Sequence, residues 1–92
     1  MRDSPPVVVR LVYLARLREA LGSAGEALPL PEGAQPTVDV VLAALRSRGG
    51  AFAHELAPGR AVRVAVNHAM AKPGDAVRDG DEVALLPPVT GG

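Results

Sequence analysis

Two short stretches, one near each end of the chain, are apolar on both faces of a strand pleat. Val7-Val8-Val9-Arg10-Leu11-Val12-Tyr13 is a β-branched run interrupted only by Arg10, and Glu82-Val83-Ala84-Leu85-Leu86 turns apolar after its first residue. A strand with one wet face alternates apolar and polar residues, whereas a strand apolar on both sides belongs inside a sheet. A chain of 92 residues has room for one core. Both strands therefore belong in the middle of a single sheet, side by side. The first and last strands are predicted to run parallel there, in a mixed sheet.

The segments between them supply the rest of a layered domain. Leu14, Leu17 and Leu21 fall at helical spacing, and Gly22 is placed to stop that short helix. Glu26-Ala27-Leu28-Pro29-Leu30 alternates like a strand. Pro29 lacks an N–H, which puts this strand at a sheet edge. Pro31 to Pro36 reads as a turn. Thr37 offers a hydroxyl cap to a helix over Thr37–Arg48, with Asp39 in its first turn and Arg46 and Arg48 in its last. Val38, Val41, Leu42 and Leu45 occupy one face of that helix, and Gly49-Gly50 ends it. One apolar face means that the helix covers one face of the sheet.

Beyond it the pattern weakens. Ala51 to Gly59 reads as an irregular or short helical connection with Phe52 and Leu56 tucked under. Val62 to Val66 alternates as a strand, Asn67-His68 is a turn, and Ala69 to Val77 holds one short strand. Lys72-Pro73-Gly74-Asp75 and Asp79-Gly80-Asp81 turn the chain before the last strand.

Composition narrows the function classes. Ten basic and ten acidic side chains cancel, and Tyr13 and Phe52 are the only aromatics. That argues against nucleic-acid binding, which needs clustered cations and stacking platforms. The chain has no cysteine, so a disulfide scaffold and a thiolate metal site are excluded, and any sulfur it carries sits elsewhere. His54 and His68 have no ligand partners at metal-site spacing. Asp75, Asp79, Asp81 and Glu82 do not follow the calcium-loop spacing and read as a solvated acidic turn. Arg10, Arg60 and Arg63 read as surface charge. No apolar run approaches the roughly 20 residues of a membrane span, and the start is not patterned as a secretion signal. A cytoplasmic location is the expectation.

The stretch that carries chemistry is the end, Leu85-Leu86-Pro87-Pro88-Val89-Thr90-Gly91-Gly92. An apolar strand runs into two prolines, which fix φ and stiffen the chain. Two glycines follow, which pass through spaces closed to side chains. The last carboxylate then belongs to Gly92, with no Cβ to shield it. The chain divides accordingly into residues 1–6, a loose start; 7–86, the folded domain; and 87–92, an extended tail.

These features together resemble a family. The order of elements resembles the β-grasp, or ubiquitin-like, fold. Asp79-Gly80-Asp81-Glu82-Val83-Ala84 followed by Pro87-Pro88-Val89-Thr90-Gly91-Gly92 is similar to the end of the small subunit of molybdopterin synthase. Tyr13 to Gly22 is similar to that family's first helix, as Ala65-Val66-Asn67 is to the stretch before its final hairpin region. Where the family often has aromatic residues before the prolines, this chain has Leu85 and Leu86.

The resemblance implies an α+β domain with one main helix on a mixed sheet. It implies a sulfur carrier without an active site of its own. Gly92 would be adenylated by an E1-like activating enzyme that uses ATP, and a sulfur donor would convert the adenylate to a thiocarboxylate. The tail, Pro87, Pro88, Val89, Thr90 and Gly91, would enter a large synthase subunit, with which the carrier forms a heterotetramer, and sulfur would pass to a pterin precursor. Leu85 and Leu86 would extend into the partner interface. No bound cofactor or metal is implied. A related carrier for thiamine or cysteine synthesis is a second reading, although thiamine carriers tend to be shorter and lack so long a second helix. A ubiquitin-like interaction module with an inert tail is a third.

Overall fold

A computed structural model of the chain describes residues 6–32 and 35–87. Its elements are β1 (Val8–Tyr13), α1 (Arg16–Leu21), β2 (Gly25–Pro29), α2 (Val38–Arg46), α3 (Gly50–Glu55), β3 (Arg63–Val66), β4 (Ala69–Met70) and β5 (Glu82–Leu86). The strands form one sheet in the order β2-β1-β5-β3-β4. β1 and β5 pair in parallel, with Leu11 opposite Val83 and Tyr13 opposite Leu85. The other pairings are antiparallel. The two doubly apolar strands are thus adjacent and interior, and the proline-bearing strand is at the edge, as the patterning predicts.

The pleat divides each strand between two faces. Val9, Leu11 and Tyr13 of β1, Leu28 of β2, Val64 of β3 and Val83 and Leu85 of β5 point into one core. Val38, Val41 and Leu45 of α2 and Leu17 and Leu21 of α1 close it from the other side. Leu42, expected on the buried face of α2, is only half-buried at the rim of the core. At 100° per residue it lies beside Val38 and Val41 but at the margin of their stripe.

Local chemistry sets the helix ends. The Thr37 hydroxyl accepts from Val40 N–H at 3.4 Å. The next orphan donors, Val38 N–H and Asp39 N–H, reach the carbonyls of Asp75 (3.0 Å) and Pro73 (2.9 Å), so the loop before β5 is tied under α2. Val77 is fully buried in that loop. α2 closes at Arg46, earlier than the predicted Arg48, because the Ser47 hydroxyl donates back to Ala44 C=O at 2.6 Å. Gly49 then caps α3 in place of ending α2. Leu14 lies outside α1 and is exposed, since Ala15 takes a positive φ of 52° that breaks the helical run. Gly22, at φ 72°, stops α1 as expected, with Ser23 N–H returning to Arg18 C=O at 3.2 Å. Asn67 and His68 both have positive φ, which makes the two-residue hairpin between β3 and β4.

Both aromatic residues sit in one cluster at the edge of the core. The Tyr13 hydroxyl donates to Glu26 Oε2 at 2.6 Å. Arg48 donates to both oxygens of the same carboxylate, at 2.7 and 2.8 Å, and lies 4.8 Å above the Phe52 ring. Phe52 meets Tyr13 edge to face at 6.1 Å. Arg48 holds the Glu26 carboxyl below its usual range. Burial, and then the Glu26 hydrogen bond, push the Tyr13 hydroxyl well above its own. The network joins β1 and β2 to the end of α2 and to α3.

Leu45→Ala is expected to lower stability by about 2–5 kcal/mol in urea unfolding, and Leu42→Ala by about 1 kcal/mol, as half-burial implies. A larger loss at Leu42 than at Leu45 would contradict this packing. Glu26→Gln is expected to lower stability by about 1–2 kcal/mol at neutral pH. Because the folded pKa of Glu26 lies below the unfolded value of about 4.3, this contribution is complete above that value. It disappears as pH falls through the folded pKa. Unfolding curves of wild type and variant should therefore converge in acid.

Candidate functional site: the root of the C-terminal tail

β5 delivers the tail. It is held on one side by β1 and on the other by β3, with Arg63 opposite Leu86 and Val64 opposite Leu85. Leu14 N–H bonds to Leu85 C=O at 3.1 Å just before the chain leaves the sheet. Pro87 has no N–H to offer a ladder, so the strand ends at Leu86. The tail therefore leaves from the centre of the sheet, between two anchored neighbours.

Of the predicted site residues, Pro87 is half-buried and lies at the lip of a recess. Leu86 is half-buried and faces away from the helices. Leu85, expected at a partner surface, is instead fully buried at 0% exposure. The pleat explains the correction: neighbours on a strand face opposite ways, and the core side belongs to Leu85. Pro88, Val89, Thr90, Gly91 and Gly92 lie outside the described residues.

The helix-free face of the sheet is the other candidate surface. Its middle row runs Gly25, Val12, Ala84, Ala65, Met70 across all five strands. Val12 and Ala65 are half-buried, and Met70 is 63% exposed. Leu86 lies one pleat further toward the tail, beside Arg63. Small residues in this row leave the backbone close to the surface. At Gly25 a side chain would run into the Leu11 carbonyl. A shallow hollow of about 610 Å³ lies along β1 and β2 on this side, lined largely by those strands with Asp79 and Gly80. Its two carboxylates are engaged elsewhere, Glu26 with Arg48 and Tyr13 and Asp79 with Val8 N–H.

The recess beside Pro87 is smaller, about 290 Å³, and is lined by Arg16, Leu17, Glu55, Arg60, Ala61 and Val62. Arg16 Nη1 and Arg60 Nη2 both donate to Glu55 Oε1, at 2.9 and 3.1 Å. Arg16, and to a lesser degree Arg60, hold the Glu55 carboxyl below its usual range. In the sequence Arg60 reads as surface charge and Arg16 as the outer side of a helix. Only the fold brings Arg16 to Glu55, 39 positions away. The one local signal was Glu55 and Arg60 flanking the turn at Gly59.

The acidic residues do structural work at the far end of the sheet. Asp79 accepts from Val8 N–H, Asp81 from Arg78 N–H and Asp75 from Lys72 N–H, at 2.8 to 2.9 Å. The last two are turn contacts, three positions apart, whereas the first ties the turn to the start of β1. Asn67 bridges Asp81 and the Glu82 backbone at 2.9 Å each. His54 and His68 are both exposed, and His68 Nε2 lies 3.6 Å from Glu82 Oε2. Among the described residues no helix is long and apolar enough to cross a membrane.

Comparison with known proteins agrees with this architecture. The molybdopterin synthase sulfur carrier subunit of Haemophilus influenzae is 34% identical over 85 residues, which cover 92% of this chain and all of that one. SAMP1 from Haloferax volcanii superposes with a TM-score of 0.71 at 28% identity, over 92% of this chain and 99% of the other. The putative molybdopterin converting factor, subunit 1, of Pyrococcus furiosus gives 0.70 at 30% identity, over 90% and 99%. The fold is accordingly the ubiquitin-like β-grasp. A model of the ThiS family matches residues 11–92, from the first strand through the final glycine pair, and the chain belongs to that family.

Proposed function

We propose that this chain is the sulfur-carrier small subunit of molybdopterin synthase, acting in the cytoplasm, with the Gly92 carboxylate as the carrying group. The observation that carries the reading is the whole-length likeness to the Haemophilus influenzae sulfur carrier subunit. A last strand that ends at Pro87 in the middle of the sheet, followed in the sequence by a Gly-Gly ending, supports it.

The chemistry follows from the carboxylate. A terminal carboxyl has a pKa of about 3.5 and is ionised at neutral pH. Its charge and resonance make it a poor electrophile. An E1-like enzyme overcomes this by letting the carboxylate attack the α-phosphate of ATP, which releases pyrophosphate and leaves an acyl adenylate. Sulfide-level sulfur, delivered by the donor as hydrosulfide, then attacks the carbonyl carbon, AMP departs with the bonding pair and the S–H proton is lost, giving the thiocarboxylate. The carrier contributes no acid or base. Its sequence provides reach: two prolines at 87 and 88 restrict φ, and glycines at 91 and 92 suit entry of bare backbone into a narrow channel. The loaded tail enters the large subunit of the synthase, in a heterotetramer. Dithiolene sulfur is delivered there. ATP belongs to the activating enzyme and no cofactor is held by the carrier.

The helix-free face, with Met70, Val12 and Leu86, forms the contact with the large subunit in this reading. Leu86 is the member of the Leu85-Leu86 pair with surface to offer. A second reading is favoured by the superposition on SAMP1, which is described as a small archaeal modifier protein. In that reading the chain is a ubiquitin-like module, and the sheet face, not the tail carboxylate, is its working part.

Deleting Gly92 moves the carboxylate back by about 3.3–3.6 Å. A misplacement of about 1 Å can lower a rate on the order of 100-fold. The truncated chain should melt like wild type yet gain no sulfur when incubated with activating enzyme, ATP and a sulfur source. Intact mass spectrometry reads the oxygen-to-sulfur change, and equal loading of both chains would leave the modifier reading in its place. Gly91→Ala should also fold normally and load or transfer slowly. Leu86→Asp should weaken association with the large subunit at least about tenfold with little change in melting temperature. Unchanged affinity would remove Leu86 from the interface.

A further inference from the structure

The recess at the tail root carries a charge pattern that the carrier chemistry does not use. We infer that Arg16 and Arg60, set by Glu55, form a cationic rim that recognises carboxylate side chains around the tail-receiving channel of the partner. This inference rests on the carrier reading.

Position is the first ground. Pro87 lines the same recess as Arg16 and Arg60, and Arg63 is in register with Leu86. A protein that takes up the tail to its base approaches Arg16 and Arg60 beside Pro87 on one side of the sheet and Arg63 beside Leu86 on the other. The second ground is the local balance of charge. Two guanidiniums share one carboxylate oxygen, Glu55 Oε1. Each uses one of its five N–H donors on it. Among the described residues neither makes another side-chain hydrogen bond to an acceptor. The Glu55 side chain is 11% exposed, whereas those of Arg16 and Arg60 are 54% and 41% exposed. The anion lies beneath and the cations face out, so the surface presented is positive.

The third ground is polarity along the sheet. Asp79, Asp81 and Glu82 lie where β1 and β5 begin, and the arginines lie where those parallel strands end. Five residues of β5 separate the two ends, roughly 17 Å of strand. The chain has no net charge to attract partners at random. At the first end Arg10 and Arg78 offset those carboxylates, whereas at the recess two exposed guanidiniums overlie one carboxylate, and such a local positive patch steers approach toward a negative surface. Guanidinium groups match carboxylates, and each of these two, having given a single N–H to Glu55 Oε1, keeps donors for another.

A structural role for the cluster, tying α1 to α3, predicts a different response to mutation. Exposed charges that steer act on the association rate and its salt dependence, and leave dissociation nearly unchanged. Association of the full-length chain with the large synthase subunit should therefore be followed by stopped flow across a salt series. Arg16→Gln with Arg60→Gln should slow association about tenfold at low salt and flatten its salt dependence. Glu55→Gln removes the buried anion and should do the opposite, speeding association and steepening the salt dependence. Dissociation rates should change less than about twofold in both.

If the wild type binds and all variants associate at its rate, the rim has no role in recognition. If Glu55→Gln and the arginine variants shift the rate in the same direction, the cluster is a structural tie and the proposal is overturned. Loss of rate in inorganic phosphate, beyond that in sodium chloride of matched ionic strength, would mark a phosphate site and overturn the carboxylate assignment. Faster association by the arginine variants than by a wild type that loads sulfur would also overturn it. A wild type that neither loads sulfur nor binds the large subunit would overturn the carrier reading itself, and the rim with it.

Discussion

The parallel pairing of β1 with β5 is the interaction on which the rest depends. It joins residues from the two ends of the sequence, so every segment between them must leave the sheet and return. Leu11 faces Val83 and Tyr13 faces Leu85 along that pairing, and all four side chains are almost completely buried. Burying a side chain of this size is worth about 1.5–3 kcal/mol. The pairing thus anchors the centre of the core as well as the centre of the sheet. It also fixes where the tail emerges. A last strand at an edge would release its tail beside an open ladder. A last strand in the middle releases it between two paired neighbours, with both sides of its base held.

A core with two aromatics has little material with which to seal its edges, and the Tyr13, Glu26, Arg48 and Phe52 cluster supplies that seal. Glu26 lies on the core side of edge strand β2, opposite Leu11. Left alone there, a carboxylate would be poorly solvated. Arg48 reaches it because α2 stops at Arg46, which frees the following residues to turn toward the sheet. The early end of the helix, the bidentate ion pair and the stacked Phe52 are therefore consequences of one another. Edge strand β2 is protected in a second way. The Ser23 hydroxyl accepts from Gly25 N–H and donates to Gly25 C=O, and Pro29 has no N–H to offer. Few backbone groups remain on that edge to recruit another strand.

Much of this was legible in the sequence, because burial on both faces leaves a mark that burial on one face does not. The runs at Val7–Tyr13 and Glu82–Leu86 disclosed both the interior position and the adjacency of β1 and β5. Pro29 disclosed the edge, and Thr37 the start of α2. What stayed hidden depended on contacts distant in sequence. Leu42 fits the helical stripe as well as Val41 does, and only the position of the sheet beneath decides which of them is at the margin. Leu85 and Leu86 are identical in type, so no pattern in the sequence says which faces the helices. Arg16, Glu55 and Arg60 come from α1, α3 and the loop before β3. Exposed charges of that kind carry no periodic signal until the fold brings them together.

The same division explains why a neutral chain can present a directional surface. Charges of opposite sign that alternate along a sequence cancel locally. Here particular clusters are placed by strand direction. Where β1 and β5 begin, the Asp79 carboxylate accepts from Val8 N–H and that of Asp81 from Arg78 N–H and the Asn67 amide. The other end of these strands is crossed by α1 and the approach to β3, where arginines gather around one carboxylate. Parallel pairing aligns both strand starts on one side and both strand ends on the other. It therefore sets the carboxylates of Asp79 and Asp81 at one end of the strands and the Arg16, Glu55 and Arg60 cluster at the other. The topology that ends β5 at the centre of the sheet also ends it, at Pro87, beside that pair of exposed guanidiniums.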